Sequence, residues 1–558
     1  MDNKLTGSFY TPEKLIEYMT EYAQKRISPR NILEPSAGDG RFVKFLKKFS
    51  SSVSLVEIEE EKAVELNNLY GNNCEIYCDD FLKFAMEHKT QYDLIIGNPP
   101  YISKKTLPNE QRDLSNKLLE HFELDISLFQ NIWVSFILAS LKLLSPHGAI
   151  FFVLPFEFLQ VQYAEKLREF LEKKFNTIEI TTFEDQIFTE IEQDVCLVYL
   201  SNEKRGKAYV KYTTLISELN TTQTFQSVIM RNKPLKKWSN CILNDWETEE
   251  LLRISKLFPK VQSFGDISPG IVTGANSFFI QTKKIVELLD VEDFQKIPII
   301  TKGSTIPSLL FFKLEDFEEM VNSNIRTYLL NLCNSKNEKI SRKLKKYLKS
   351  GEDKEINKRY KCSIRNRWYD VPIIKNGEVC FFKRFHWLPR VIINLAKVYT
   401  TDIVYNIRFK EEYDGPSFAF CFYNSLTLAL CEYNGRFYGG GVGELVPNEF
   451  KSLNIPYLKI REEALSHLDM LFRNKKDICE IINYVDSIVL KNLPIEDIKL
   501  LQEIRTRYLV RRMKLYNRKE DCTIVKQVDT NSANLLSSRS RRYLAVIGSL
   551  SFIGRQVA

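Results

Sequence analysis

Asn98-Pro99-Pro100-Tyr101 concentrates more chemistry than any other stretch of the sequence. Its two prolines have no N–H and fix the chain, so carbonyl oxygens point outward without competing donors. The Asn98 side-chain oxygen and the Pro99 carbonyl can then hold both hydrogens of an exocyclic amino group and turn its lone pair toward an incoming electrophile. Tyr101 offers a flat face on which a planar base or amide can stack. A second set of residues lies upstream. Gly38 and Gly40 lack a Cβ and admit positive φ, so the backbone can pass close to a ligand. Glu57, 17 residues beyond Gly40, can accept both hydroxyls of a ribose, and Asp80 can accept an adenine amino group with Phe81 beside the ring. Val43 stands where a dinucleotide fingerprint has its third glycine, which argues against a pyrophosphate and for S-adenosylmethionine.

Each of these residues falls where an apolar run stops. Ile32-Leu33 leads into Glu34 to Gly40, after which Phe42, Phe45, Leu46 and Phe49 recur at helical spacing. Val53 to Val56 ends at Glu57, Cys74 to Cys78 closes on Asp79-Asp80, and Tyr92 to Ile96 stops at Gly97. Buried strands alternating with amphipathic helices predict an α/β fold, a doubly wound parallel sheet of Rossmann type with ligands outside the carboxyl ends of its strands. Cys74 and Cys78 are expected to share a strand face as small buried hydrophobes. The longest apolar stretch, Phe136 to Leu159, is interrupted by Lys142, Pro146, His147 and Glu157 and reads as a helix followed by a buried strand.

The motifs and their order resemble the gamma class of N6-adenine DNA methyltransferases of restriction–modification systems. Gly7-Ser8-Phe9-Tyr10-Thr11-Pro12 is similar to the cofactor-lid motif that opens this family, with Phe9 and Thr11 at its contacting positions. The resemblance implies cofactor contacts from Glu34, Gly38, Gly40, Glu57, Ile58, Asp80 and Phe81, and a catalytic motif at Asn98, Pro99, Pro100 and Tyr101. It also implies a second aromatic against the target base, for which Phe188 in Gln186-Ile187-Phe188 is the matching residue and Phe183 an alternative. The segments Gly270 to Phe279 and Gly439 to Leu445 are similar to parts of the family's target-recognition region. The expected reaction is transfer of the S-adenosylmethionine methyl to N6 of an adenine flipped out of duplex DNA, with no metal. No Pro-Cys nucleophile of the 5-methylcytosine type is present, so direct attack is expected. The pocket residues suit N4 of cytosine, a protein glutamine or an RNA base equally well. The long region that follows argues for DNA.

The expected organisation is a catalytic domain over 1–205, a linker over 206–245, a mixed α/β target-recognition domain over 246–460, a helical unit over 461–520 and an unassigned tail over 521–558. The 558 residues are 44% hydrophobic and 27% charged, which excludes a disordered or fibrous chain. The net charge of +8 is uneven: Arg326 to Lys410 holds 21 basic and 7 acidic residues, a balance suited to a polyanion. Within it Lys343, Lys345, Lys346 and Lys349 accompany Tyr347, and Arg365 and Arg367 flank Trp368, a mixture suited to phosphate contact and base reading. Eleven scattered cysteines with no Cys-x-x-Cys pair, and only five histidines, point to free thiols in a reducing cytoplasm and to no zinc site. No membrane partner is expected. The protein is read as a monomer that works beside a companion restriction endonuclease without needing a stable complex with it.

Overall fold

The computed structural model describes residues 10–48, 52–183, 194–202, 209–216, 223–230, 235–333 and 340–513. The expected contacts Phe9 and Phe188 and the tail 521–558 therefore lie outside the described residues. The chain divides into two compact units, one comprising 1–248 with 438–440, the other 249–437 with 441–558.

Among the described residues the first unit holds a nine-stranded sheet of order β3-β2-β1-β4-β5-β7-β6-β8-β9. Its strands are β1 (Asn31–Glu34), β2 (Ser52–Glu57), β3 (Glu75–Cys78), β4 (Tyr92–Gly97), β5 (Leu144–Pro155), β6 (Thr177–Phe183), β7 (Val195–Ser201), β8 (Tyr209–Ile216) and β9 (Gln223–Met230). The helices that matter for the site are α1 (Glu13–Gln24), α2 (Val43–Leu46), α3 (Glu60–Tyr70), α4 (Phe81–Glu87), α5 (Asn109–His121), α6 (Ile132–Leu143) and α7 (Glu165–Lys174). The first five strands in this order are mutually parallel, as expected. Alternate residues share one core: Ile32, Leu55, Leu94, Ile96, Phe151 and Val153 pack with Leu15 and Met19 of α1, Leu46 of α2 and Leu66 of α3. Their neighbours Leu33, Ile95, Ile150 and Phe152 are buried too, so the central strands are covered on both faces. The long apolar stretch divides as the sequence predicts, into α6 and β5.

Three features depart from the sequence reading. The sheet is not wholly parallel, because β7 inserts antiparallel between β5 and β6. Only residues 184–194 separate β6 from β7, shorter than the crossover of about a dozen or more residues that a parallel return needs. The stretch 206–245 is not a simple linker. It contributes β8, parallel to β6, and β9, antiparallel to β8. Its end is core: Trp238, Ile242 and Leu243 are buried, Trp238 Nε1 donates to Glu172 Oε1 at 2.7 Å, and the buried Arg168 of α7 donates to the carbonyls of Phe158, Val161 and Lys236. The third departure is in β3, which starts at Glu75, so that Cys74 is buried but Cys78 is exposed at the sheet edge.

The second unit contains a five-stranded sheet of Gly265–Pro269, Val404–Phe409, Val379–Phe382, Arg390–Asn394 and Phe311–Phe312, in that order. Val391 to Leu395, a strand-like apolar run in the sequence, is largely strand, but Phe418 to Leu430, an equally strand-like run, forms the helices Gly415–Phe422 and Ser425–Asn434. Both are so fully buried that no polar face marks a helical period. Their N-caps, Asp414 and Asn424, accept from Ser417 N and Thr427 N and fix the helical starts. The helices Glu462–Arg473, Ile478–Val489 and Ile495–Met513 belong to this unit rather than forming one of their own. Asp469 accepts from Leu310 N and Phe311 N, and Asp486 from Ser425 N and Oγ, binding two of these helices to the rest of the unit.

Candidate functional site

The carboxyl ends of β1, β2, β3 and β4 open on one cavity of the first unit, about 940 Å³ including its mouth. Its walls bring together Thr11, Glu34, Gly38, Glu57, Ile58, Asp80, Phe81, Asn98 and Pro100, residues drawn from five separate stretches of chain. Of the other expected residues, Phe9 and Phe188 are not described, and Gly40, Pro99 and Tyr101 are not among the lining residues.

Glu34 ends β1, is 1% exposed, and its Oε2 has no hydrogen-bond partner among the described residues. Burial, reinforced by Asp39 and Glu57, pushes its carboxyl well above the ordinary carboxylate range. Gly38 follows at φ +57° and donates its N–H to Glu57 Oε2 at 2.8 Å, while Glu59 N donates to Glu57 Oε1 at 2.9 Å. Glu57 thus organises the two loops as well as facing the cavity, and each of its oxygens keeps a lone pair for a ligand. Asp80 has a similar double part. Its Oδ1 caps α4 through Leu82 N, and its Oδ2 accepts from Gln111 Nε2, both at 2.7 Å. Phe81 is buried against Phe136, with ring centroids 5.0 Å apart.

Gly40 differs from its expected part. At φ +74° a Cβ there would come within 2.6 Å of Leu66 Cδ2 and 2.9 Å of Tyr70 Cε2, so this glycine makes room for α3 rather than for a ligand. Tyr101 is the larger correction. Its side chain is half-buried, with the hydroxyl 2.9 Å from Asn98 Oδ1 and 3.1 Å from the Val153 carbonyl and the ring packed on the core of the sheet. Burial, with Cys196 and Glu157 adding to it, raises the hydroxyl well above the usual tyrosine value and keeps it neutral. The tyrosine expected as a stacking platform is therefore also the donor that orients the Asn98 carboxamide. Ser36 Oγ donates to the Asn98 backbone carbonyl at 3.1 Å, tying the loop after β4 to the loop after β1.

Several cavity residues were not singled out by sequence. Arg41 pairs with Asp39 at 2.6 Å, donates to the Thr11 carbonyl and lies 4.7 Å from the Tyr10 ring centroid, fastening the described start of the chain to the loop after β1. Lys62, Gln111, Ile102 and Ile132 also line the walls. Only Arg41 carried a local signal, its place directly after Gly40. In the second unit the cations divide. Arg365 donates to the carbonyls of Val272, Thr273 and Trp368, Arg367 pairs with Asp370, and Arg390 donates to the carbonyls of Gly303, Ile306 and Pro307. Arg365 and Arg367, expected at phosphates, are internal clamps, whereas Lys345, Lys346 and Lys349 are exposed on one helix.

Strand order, parallel carboxyl ends and the cavity between them define a Rossmann-like methyltransferase domain, followed in this chain by a mixed α/β unit. Two family models match. Residues 25–188 fit the Eco57I restriction-modification methylase, and residues 235–490 fit the C-terminal domain of type II methyltransferase M.Eco57I. Type II methyltransferase M.AccI of Acinetobacter calcoaceticus is 23% identical over 530 residues, 87% of this chain and 93% of that protein. M.XamI of Xanthomonas campestris pv. amaranthicola is 20% identical over 477 residues, 81% of this chain and 85% of that protein. Among solved structures, the type IIL restriction-modification enzyme MmeI in complex with DNA shares the fold with a TM-score of 0.52 at 10% identity, over 89% of this chain and 75% of that one. These matches support a methyltransferase of a restriction–modification system.

Proposed function

We propose that the protein methylates N6 of an adenine in duplex DNA, with S-adenosylmethionine as donor, as the modification enzyme of a type II system. The observation that carries this reading is the single cavity in which Glu34, Glu57 and Asp80 meet Asn98 and Pro100. Its residues fit the cofactor: Glu34 Oε2 is a buried acceptor without a partner among the described residues, and Gly38 leaves its Cβ direction open, the nearest atom being Tyr10 Cε1 at 3.5 Å. Glu57 would hold the ribose hydroxyls, Asp80 the adenine amino group, with Phe81 and Ile58 beside the ring and Glu34 toward the amino-acid end. When bound, S-adenosylmethionine supplies an electrophilic methyl.

The chain's own part is to present the nucleophile. Asn98 Oδ1, held by Tyr101, accepts from the amino group, and the Pro99 carbonyl takes its second hydrogen, which draws the lone pair out of conjugation with the ring. The target base must leave the helix to reach these groups, and Tyr101 and Phe188 are the aromatics assigned to hold it. The second unit recognises the DNA, the enzyme acts as a monomer in the cytoplasm, and a companion endonuclease cuts unmodified sites.

The test is expression in a host without endogenous adenine methylation, followed by sequencing that distinguishes N6-methyladenine from N4-methylcytosine. N6-methyladenine at one recurring sequence, lost in Asn98→Ala, is expected. N4-methylcytosine instead would overturn the choice of base, and unmodified DNA with methylated RNA or protein would overturn DNA as substrate.

A further inference from the structure

Tyr360 and Ile364 are 72% and 62% exposed, more than any other aromatic and nearly any other aliphatic side chain among the large exposed hydrophobics of the described residues. They stand four residues apart on the short helix Tyr360–Ser363 and its C-cap, a spacing that puts both on one side. Scattered exposed hydrophobics need no explanation, but an adjacent pair on a braced turn does. The bracing is extensive. Between them Cys362 is wholly buried, and the turn sits so close to the loop at Gly274 that a Cβ there would lie 3.0 Å from Lys361 Cβ and 3.1 Å from Cys362 Sγ. Immediately after Ile364, Arg365 donates to the Val272 carbonyl at 3.0 Å and the Thr273 carbonyl at 2.8 Å. Ser363 N and Cys362 N both donate to the Arg359 carbonyl at 2.8 Å, closing the turn. Two apolar side chains are thus held out in water by a frame that leaves them no route to the core.

Charge selects the occupant. Arg342 to Arg367 holds eleven basic and three acidic residues, and Arg359 and Lys361, which flank Tyr360, are both exposed. The preceding helix Arg342–Asp353 exposes Arg342, Lys345, Lys346 and Lys349 at successive positions of one face, with Leu344 and Leu348 buried on the other. A protein surface of mixed charge would gain no net attraction here. A polyanion with apolar base faces between its phosphates complements both the cations and the pair they surround.

We propose that Tyr360 and Ile364 form an apolar wedge that enters duplex DNA at a base step, with Arg359 and Lys361 on the flanking phosphates. This rests on DNA being the substrate and assigns the contact to one turn of the second unit. The bracing by Arg365 and Cys362 fixes the backbone of the turn in advance, so binding has only the two side chains to order.

The test uses the full chain and a duplex of about three helical turns carrying the methylated sequence, followed by fluorescence anisotropy over a salt series. Stacking is worth about 1–3 kcal/mol per base, so the double variant Tyr360→Ala/Ile364→Ala should bind this duplex about tenfold more weakly or worse with its salt dependence unchanged. Arg359→Ala/Lys361→Ala should instead flatten the salt dependence by about two phosphates. Tyr360→Trp should recover the affinity that Tyr360→Ala loses. Melting temperature should stay at the wild-type value throughout, since none of these side chains is buried, and S-adenosylmethionine affinity should stay there too. Wild-type affinity in the double variant overturns the wedge while leaving DNA as substrate. Failure of the wild type itself to bind any duplex overturns the proposed function and the wedge with it.

Discussion

Replacing Tyr101 by Phe separates two parts that the sequence had merged. The change keeps the ring and removes only the hydroxyl, which lies 2.9 Å from Asn98 Oδ1 and 3.1 Å from the Val153 carbonyl. Val153 already sits in the β5–β7 ladder opposite Leu197, and Asn98 is half-buried at the cavity wall where water can replace the lost donor. The stability cost is therefore at the low end of that for an abandoned acceptor, about 1 kcal/mol, or a fall in Tm of about 2–4 °C for a unit of this size. The effect on turnover is larger, because an unheld carboxamide rotates away from the amino group it must orient, and a misplacement of about 1 Å costs about a hundredfold. Single-turnover methyl transfer on the established site should fall about ten- to a hundredfold, with S-adenosylmethionine affinity by calorimetry at the wild-type value because Tyr101 does not line the cofactor cavity. If Tyr101→Phe turns over like the wild type while Tyr101→Ala does not, the ring alone matters and the orienting hydrogen bond has no catalytic part.

Three further changes test the site's electrostatics and its turn. Glu34 has its carboxyl raised by burial and by Asp39 and Glu57, so the folded state holds the proton to higher pH than the unfolded state; stability is full below about 4.5 and is lost as pH rises through the folded value. Glu34→Gln removes that loss, so in ligand-free protein its Tm advantage over the wild type should grow from pH 5 to pH 8, while S-adenosylmethionine binding weakens; a Tm difference independent of pH would refute the buried carboxyl. Gly40→Ala adds a Cβ at φ +74° within 2.6 Å of Leu66 and should cost about 2–4 kcal/mol, whereas Gly38→Ala, at φ +57° with Tyr10 3.5 Å away, should cost about 1–2 kcal/mol. Urea denaturation giving equal losses would contradict the separate parts assigned to the two glycines.

The carboxyl-end residues were legible in the sequence for a local reason. Glu34, Glu57, Asp80 and Asn98 each follow an apolar run, and in a parallel α/β sheet such ends lie side by side whatever the rest of the chain does. The chemistry proposed for Asn98-Pro99-Pro100-Tyr101 rests on residue type, since two prolines leave a carbonyl without neighbouring donors. Composition and net charge likewise located a basic region. What the sequence could not carry was the direction of each side chain and the partner it meets. Tyr101 reads as a stacking ring until its hydroxyl settles between Asn98 Oδ1 and the carbonyl of Val153, 52 residues on, and Gly40 reads as a ligand turn until α3 fills the space beside it. Arg365 and Arg367 look like phosphate contacts beside Lys345 and Lys346. Only the packed structure turns the arginines inward onto the carbonyls of Thr273 and Leu332 and leaves the lysines outside. The helices at 415–434 look strand-like in the sequence for the same reason: full burial erases the polar face that reveals a helical period, and an N-cap such as Asp414 distinguishes helix from strand only when its acceptor has found the N–H three residues on. Pattern along the chain places groups at ends of elements; the contacts that orient them come from residues far away in sequence, and those exist only once the sheet has closed.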